Sequence, residues 1–71
     1  MANDLGVRLG KRLKQLRERR GWNQHYLAEV SGINRSHISE IENGKRDIHL
    51  SLVEMLATSF GMTMAEFLKG V

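Results

Sequence analysis

The chain has 71 residues, 41% hydrophobic and 27% charged, the balance of one soluble globular unit and not of a disordered tail. A chain this short buries only roughly 60% of its unfolded surface. With no cysteine, it has neither disulfides nor thiolate metal sites to supplement a small core, which leaves very regular packing or a second subunit. Its net charge is +3, unevenly spread: residues 1–22 carry seven basic and two acidic side chains, residues 23–46 three of each, and residues 47–71 one basic and three acidic. A basic start and an acidic end fit an anionic partner meeting one side of the molecule, or simply a solvated helix face. No apolar run approaches the roughly 18 residues of a membrane span, and residues 1–20 lack a signal-peptide core, so a cytoplasmic protein is expected.

Proline is absent and glycine punctuates the chain. Leu5, Leu9, Leu13 and Leu16 share one face of a first helix that Asp4 can cap and Gly21 ends. Asn23 precedes a short second helix, Gln24 to Ser31, with Leu27, Ala28 and Val30, closed by Gly32. Asn34 caps a third, Arg35 to Asn43, with Ile38 and Ile41 inside and Gly44 after it. A polar loop, Lys45 to His49, leads to a fourth helix marked by Leu50, Val53, Leu56, Ala57 and Phe60. Thr63 and Glu66 have capping-box spacing and open a fifth helix with Met64, Phe67 and Leu68. No segment alternates long enough for a strand. The expected fold is all-α, five helices in one domain spanning residues 1–71.

The second and third helices are joined only by Gly32-Ile33-Asn34. So short a link fits two helices crossing near a right angle, a helix-turn-helix over about residues 24–43. Gly32 supplies the left-handed turn, Ala28 allows close approach, and Ile33 plugs the corner. With Ile38 and Ile41 inward, Arg35, Ser36, Ser39, Glu40 and Asn43 form an outward row suited to a DNA major groove. The competing reading is a plain two-helix corner with a solvated face.

The stretch GWNQHYLAEVSGINRSHISEIENGKR resembles the core of the lambda-repressor-like, XRE/Cro family. The matching positions are Gln24, Leu27-Ala28, Gly32, Ile38, Ile41-Glu42 and Gly44-Lys45. Leu13-x-x-Leu16-Arg17 upstream and Leu56-Ala57-x-x-Phe60-Gly61 downstream extend the likeness over residues 8–68. Stand-alone restriction–modification controller proteins look most similar, although prophage repressors and antitoxins share the core. The resemblance implies a sequence-specific regulator of transcription, bacterial or phage and nucleoid-associated, that binds double-stranded DNA without cofactor or small-molecule effector. It also implies an Arg17–Glu42 ion pair tying the first helix to the third, and a Gln24 that binds phosphate and buttresses a neighbour.

Arg35 is the main candidate for base readout, because a guanidinium can donate twice to guanine O6 and N7. Ser36, Ser39 and Glu40 complete the base-facing set, Glu40 through cytosine N4 or by repelling wrong partners. Asn23, Gln24, His37, Asn43, Lys45 and Arg46 are phosphate-contact candidates. His25, His37 and His49 lack a metal-site pattern, Trp22 reads as packing, and no nucleophile–base constellation is visible, so neither a metal nor enzyme activity is expected. Leu52 and Met55 fall off the inward face of the fourth helix, with Met64, Phe67 and Leu68 nearby on the fifth. That apolar patch, within residues 50–71, predicts a homodimer on a pseudo-palindromic, autoregulatory operator; a single larger core is the other explanation. A second functional reading is an antitoxin-type interaction module whose patch binds a toxin.

Overall fold

A computed structural model describes residues 4–46 and 48–71. Among them are five helices and no strand: α1 (Asp4–Arg19), α2 (Gln24–Ser31), α3 (Arg35–Glu42), α4 (Leu50–Ser59) and α5 (Met64–Phe67). The capping role read for Asp4 falls on a side chain outside the described ones. The other starts are capped by side chains. Asn23 accepts from the Tyr26 N–H, Asn34 from that of Ser36, and His49 from that of Leu52. Thr63 and Glu66 form a reciprocal capping box at α5.

α1 and α2 both pack on α3, α2 also meets α4, and α4 carries α5. Leu13, Leu27, Ile38, Leu56 and Phe67 have no exposed surface and form the centre of one apolar cluster. Gly32 closes α2 in the left-handed region, φ 76°, and the buried Ile33 follows it into the core. The short link between α2 and α3 therefore works as a rigid corner. Trp22 stacks on Phe60 with ring centres 5.1 Å apart, a packing role that closes the α2–α4 side.

Three expectations about apolar residues need correction. Leu52 and Phe67, placed at an intermolecular patch, are 5% and 0% exposed and belong to the chain's own core. Leu50, placed inside, is 72% exposed. The reason is helical phase: Leu52, Val53, Leu56, Ala57 and Phe60 make the buried stripe, and Leu50 lies about a quarter-turn off its centre at roughly 3.6 residues per turn. Phe67 turns inward because α5 folds back over α4. Leu5, read on the inward leucine face, is 57% exposed and sits one turn ahead of the first buried leucine, Leu9.

Basic residues of α1 and of the turn just after it hold the last two helices. Arg12 donates to the carbonyls of Glu66 and Phe67, both at 2.8 Å, and Arg20 to the Phe60 carbonyl at 2.7 Å. Arg8 donates to the Val71 carbonyl. These acceptors lie at or just beyond the C-terminal ends of α4 and α5, where carbonyls lack helical partners and the dipole favours a cation. Arg20 also lies over the Trp22 and Phe60 rings, 5.4 Å from each centre.

Gly10, a feature that pattern reading leaves without a role, marks the closest approach of α1 to α3. A Cβ there would lie 2.3 Å from the Ile41 carbonyl oxygen and 2.9 Å from that of Glu42, both backbone atoms that side-chain motion cannot relieve. At Gly6, in the same helix, the nearest atom would be 3.9 Å away. Gly10→Ala should therefore lose about 1–3 kcal/mol or more in urea denaturation. Gly6→Ala should be neutral or gain up to about 1 kcal/mol from helix propensity. Equal stability of the two variants would contradict this packing.

Candidate nucleic-acid interface

The face begins with a buried charge cluster beneath it. Arg17 of α1 meets Glu42 of α3 through two parallel bonds, Nε to Oε2 at 2.7 Å and Nη2 to Oε1 at 2.9 Å. The two side chains are 10% and 3% exposed. Gln24, first residue of α2, donates its amide to the same carboxylate at 3.0 Å, and Arg17 Nη1 donates to the Trp22 carbonyl at 2.8 Å. The bond to Glu42 raises the Arg17 pKa above its ordinary value, against the lowering effect of burial. One carboxylate thus joins α1, the start of α2 and the end of α3. No buried side-chain polar atom among the described residues lacks a partner.

On that support stands the outward row of α3. Arg35 and Ser36 are exposed, Ser39, Glu40 and His37 partly so, while Ile38, Ile41 and Glu42 are buried. Asn34 fixes the start of the row: its Oδ1 accepts from the Ser36 N–H at 2.8 Å and from the Ser36 hydroxyl at 2.7 Å. Ser36 therefore presents lone pairs outward, since its proton is engaged. Gln24, Asn34, Arg35, Ser36, Ser39 and Glu40 line an open concavity of about 650 Å³. The polar ends of α2 and α3 thus share one surface.

The phosphate-contact candidates surround this concavity unevenly. Asn23 is exposed, with its side-chain oxygen occupied as the α2 cap, so its amide nitrogen remains for a further contact. Gln24 has one donor engaged by Glu42. Asn43, Lys45 and Arg46 are exposed after α3, and Arg46 Nε donates to Glu40 at 2.5 Å. The Arg46 bond, followed by its charge, holds the Glu40 carboxyl below its ordinary pKa. His25 lies near Glu29 at 3.7 Å and borders a second concavity with Asn23, Gln24 and Arg35. Sequence reading left out two features of this face. The orienting role of Asn34 was hidden behind its cap signature, and the Glu40–Arg46 pair spans a turn that no helical spacing rule covers.

The Glu42 cluster sets a stability test. A chain of this length has only roughly 4–10 kcal/mol of total stability at 0.05–0.15 per residue. Glu42→Ala strands Arg17 in a dry site and should cost about 3–5 kcal/mol. Replacing Arg17 and Glu42 together by apolar residues should cost clearly less than the sum of the two single changes. Additive losses in a double-mutant denaturation cycle would show that the two side chains act independently.

Residues 13–67 match a helix-turn-helix family model (HTH_3), a span that includes α2, α3, their corner and the buried pair. Control protein C.MunI of Mycoplasma sp is 34% identical over 97% of this chain and 95% of its own length. The HTH-type transcriptional regulator PuuR of Escherichia coli K12 is 37% identical over 92% of this chain, which spans 35% of that longer protein. Among solved structures, the restriction-modification controller protein C.AhdI from Aeromonas hydrophila superposes with a TM-score of 0.83 at 35% identity. That match covers 87% of this chain and 94% of the controller. The chain belongs to the HTH_3 helix-turn-helix family, of the XRE-like kind.

Proposed function

We propose that the chain is a sequence-specific DNA-binding regulator of transcription, of the controller type, that seats α3 in the major groove. The observation that carries this reading is the placement of Arg35, Ser36, Ser39 and Glu40 on one open polar surface, above a helix locked from behind by Arg17 and Glu42. Arg35 reads guanine, Ser36 accepts and Ser39 accepts or donates at base edges, and Glu40 borders the row as its one acidic member. Asn23, Gln24, His37, Asn43 and Lys45 flank the groove and fix register on phosphate, with Arg46 beside them at the edge of the α3 row. The match to C.MunI and C.AhdI over 95% and 94% of their own lengths supports the controller type.

The chain acts as a homodimer on a pseudo-palindromic operator, with half-sites about 10 bp apart or a multiple of that, and controls its own synthesis. Leu50, Met55, Met64 and Leu68 supply the apolar atoms for that contact, being exposed or partly buried on α4 and α5 or next to them. Leu52 and Phe67 contribute from beneath, as core. The role is regulation and not catalysis, exercised on cytoplasmic DNA without a cofactor. No helix among the described residues is long and apolar enough to cross a membrane.

Selection of bound duplexes from a random pool, followed by shift assays at several salt concentrations, tests this. Arg35→Ala should lose most of the preference for the selected sequence, by about 1–3 kcal/mol, while retaining nonspecific binding. Lys45→Ala should weaken binding to every sequence and flatten the salt slope by about 0.9. Equal losses on all sequences for Arg35→Ala would remove it from readout.

A further inference from the structure

Glu40 is an unusual residue to find facing a polyanion. In the structure it is tied to the segment that follows α3 twice. The chain reverses at Gly44 (φ 68°), whose N–H donates to the Ile41 carbonyl at 3.0 Å, and the Lys45 N–H donates to the Glu40 carbonyl at 2.9 Å. This reversal returns Arg46 alongside α3, where its Nε donates to Glu40 Oε1 at 2.5 Å. The two side chains are 46% and 51% exposed, so the pair lies at the protein surface, and Glu40 itself borders the recognition concavity with Arg35, Ser36 and Ser39. Because Glu40 takes the Nε–H, both terminal nitrogens of Arg46 are left as donors in a fixed plane.

We infer that Glu40 is a specificity-determining positioning residue, which holds the Arg46 guanidinium beside the α3 row so that it enters the groove as a second base-reading donor. This rests on the DNA-binding reading above and deepens it. Unheld, Arg46 is a mobile cation on an exposed loop, and phosphate, present at every step of any sequence, captures it without discrimination. Held, it meets DNA with its donors already oriented, and its charge is balanced by Glu40, so it adds little to counterion release. Glu40 therefore does more than repel phosphate. Simple repulsion would weaken binding to all DNA alike, whereas positioning strengthens the cognate complex relative to the rest.

The two effects separate experimentally. Glu40→Gln, Arg46→Ala and the double variant would be measured against the selected operator and a scrambled duplex over a salt series, with thermal unfolding to confirm intact folding. Positioning requires Glu40→Gln to lower affinity for the operator about tenfold, the size of one modest base contact. Affinity for the scrambled duplex should hold or rise, with a steeper salt slope as the freed cation finds phosphate. In the Arg46→Ala background the Glu40→Gln change should have no further effect on the operator-to-scrambled ratio. Glu40→Gln strengthening both duplexes equally, or altering the ratio when Arg46 is already absent, would overturn the inference while leaving the DNA-binding reading intact. A wild-type chain with no preference for any selected duplex would overturn that reading and this inference together.

Discussion

The orientation of α3 depends on one buried carboxylate. Glu42 accepts two bonds from Arg17 and one from Gln24, so α3 is held at its end by α1 and by the first residue of α2. Removing two charges from water is costly, and an ion pair in such a place adds little net stability over an apolar pair of the same shape. What it supplies is direction. Apolar contacts between Ile38, Ile41 and their neighbours tolerate small rotations of α3, while a planar guanidinium meeting a planar carboxylate does not. Gln24 is placed by the same carboxylate, so the start of α2 and the end of α3 are set in a single cluster beneath the proposed DNA-binding face.

That arrangement changes the meaning of the chain's positive charge. Of the seven basic residues in the first 22, Arg8, Arg12, Arg17 and Arg20 donate to groups within the protein. Three of these reach carbonyls at or just past the ends of α4 and α5, acting as caps supplied from another helix. The basic first third is thus largely an internal fastening, and the balanced middle third carries the proposed recognition face. Affinity resting on bulk charge would be indifferent to sequence. A nearly neutral face with a few oriented donors, Arg35 and the Glu40-held Arg46 among them, suits discrimination.

Much of this was legible in the residues. Helix spacing, the capping residues Asn23, Asn34 and Thr63, and the three-residue corner at Gly32 gave all five helices and the helix-turn-helix, since each signal is local. The Arg17–Glu42 pair came from family resemblance, because 25 residues separate its members and no periodicity links them. The misplacements of Leu50 and Leu52 share a cause. Within α4 the apolar residues outnumber one face, so phase is ambiguous until α2 and α5 are docked against it. The same holds for Gly10, whose role is defined by Ile41 and Glu42 backbone atoms over 30 residues away. The Arg12 and Arg20 caps, reaching 40 to 55 residues along the chain, are invisible for the same reason.

The proposed DNA-binding surface is shared by the start of α2, the outward row of α3 and the segment 43–46. Amide chemical-shift mapping by NMR during titration with a selected operator duplex locates that surface directly. Changes concentrated at Asn23, Gln24, Arg35 to Glu40 and Asn43 to Arg46, with the exposed face of α1 around Lys11 and Lys14 nearly silent, are the expected result. Changes centred on Lys11, Lys14 and Lys69, with α3 unperturbed, would contradict it.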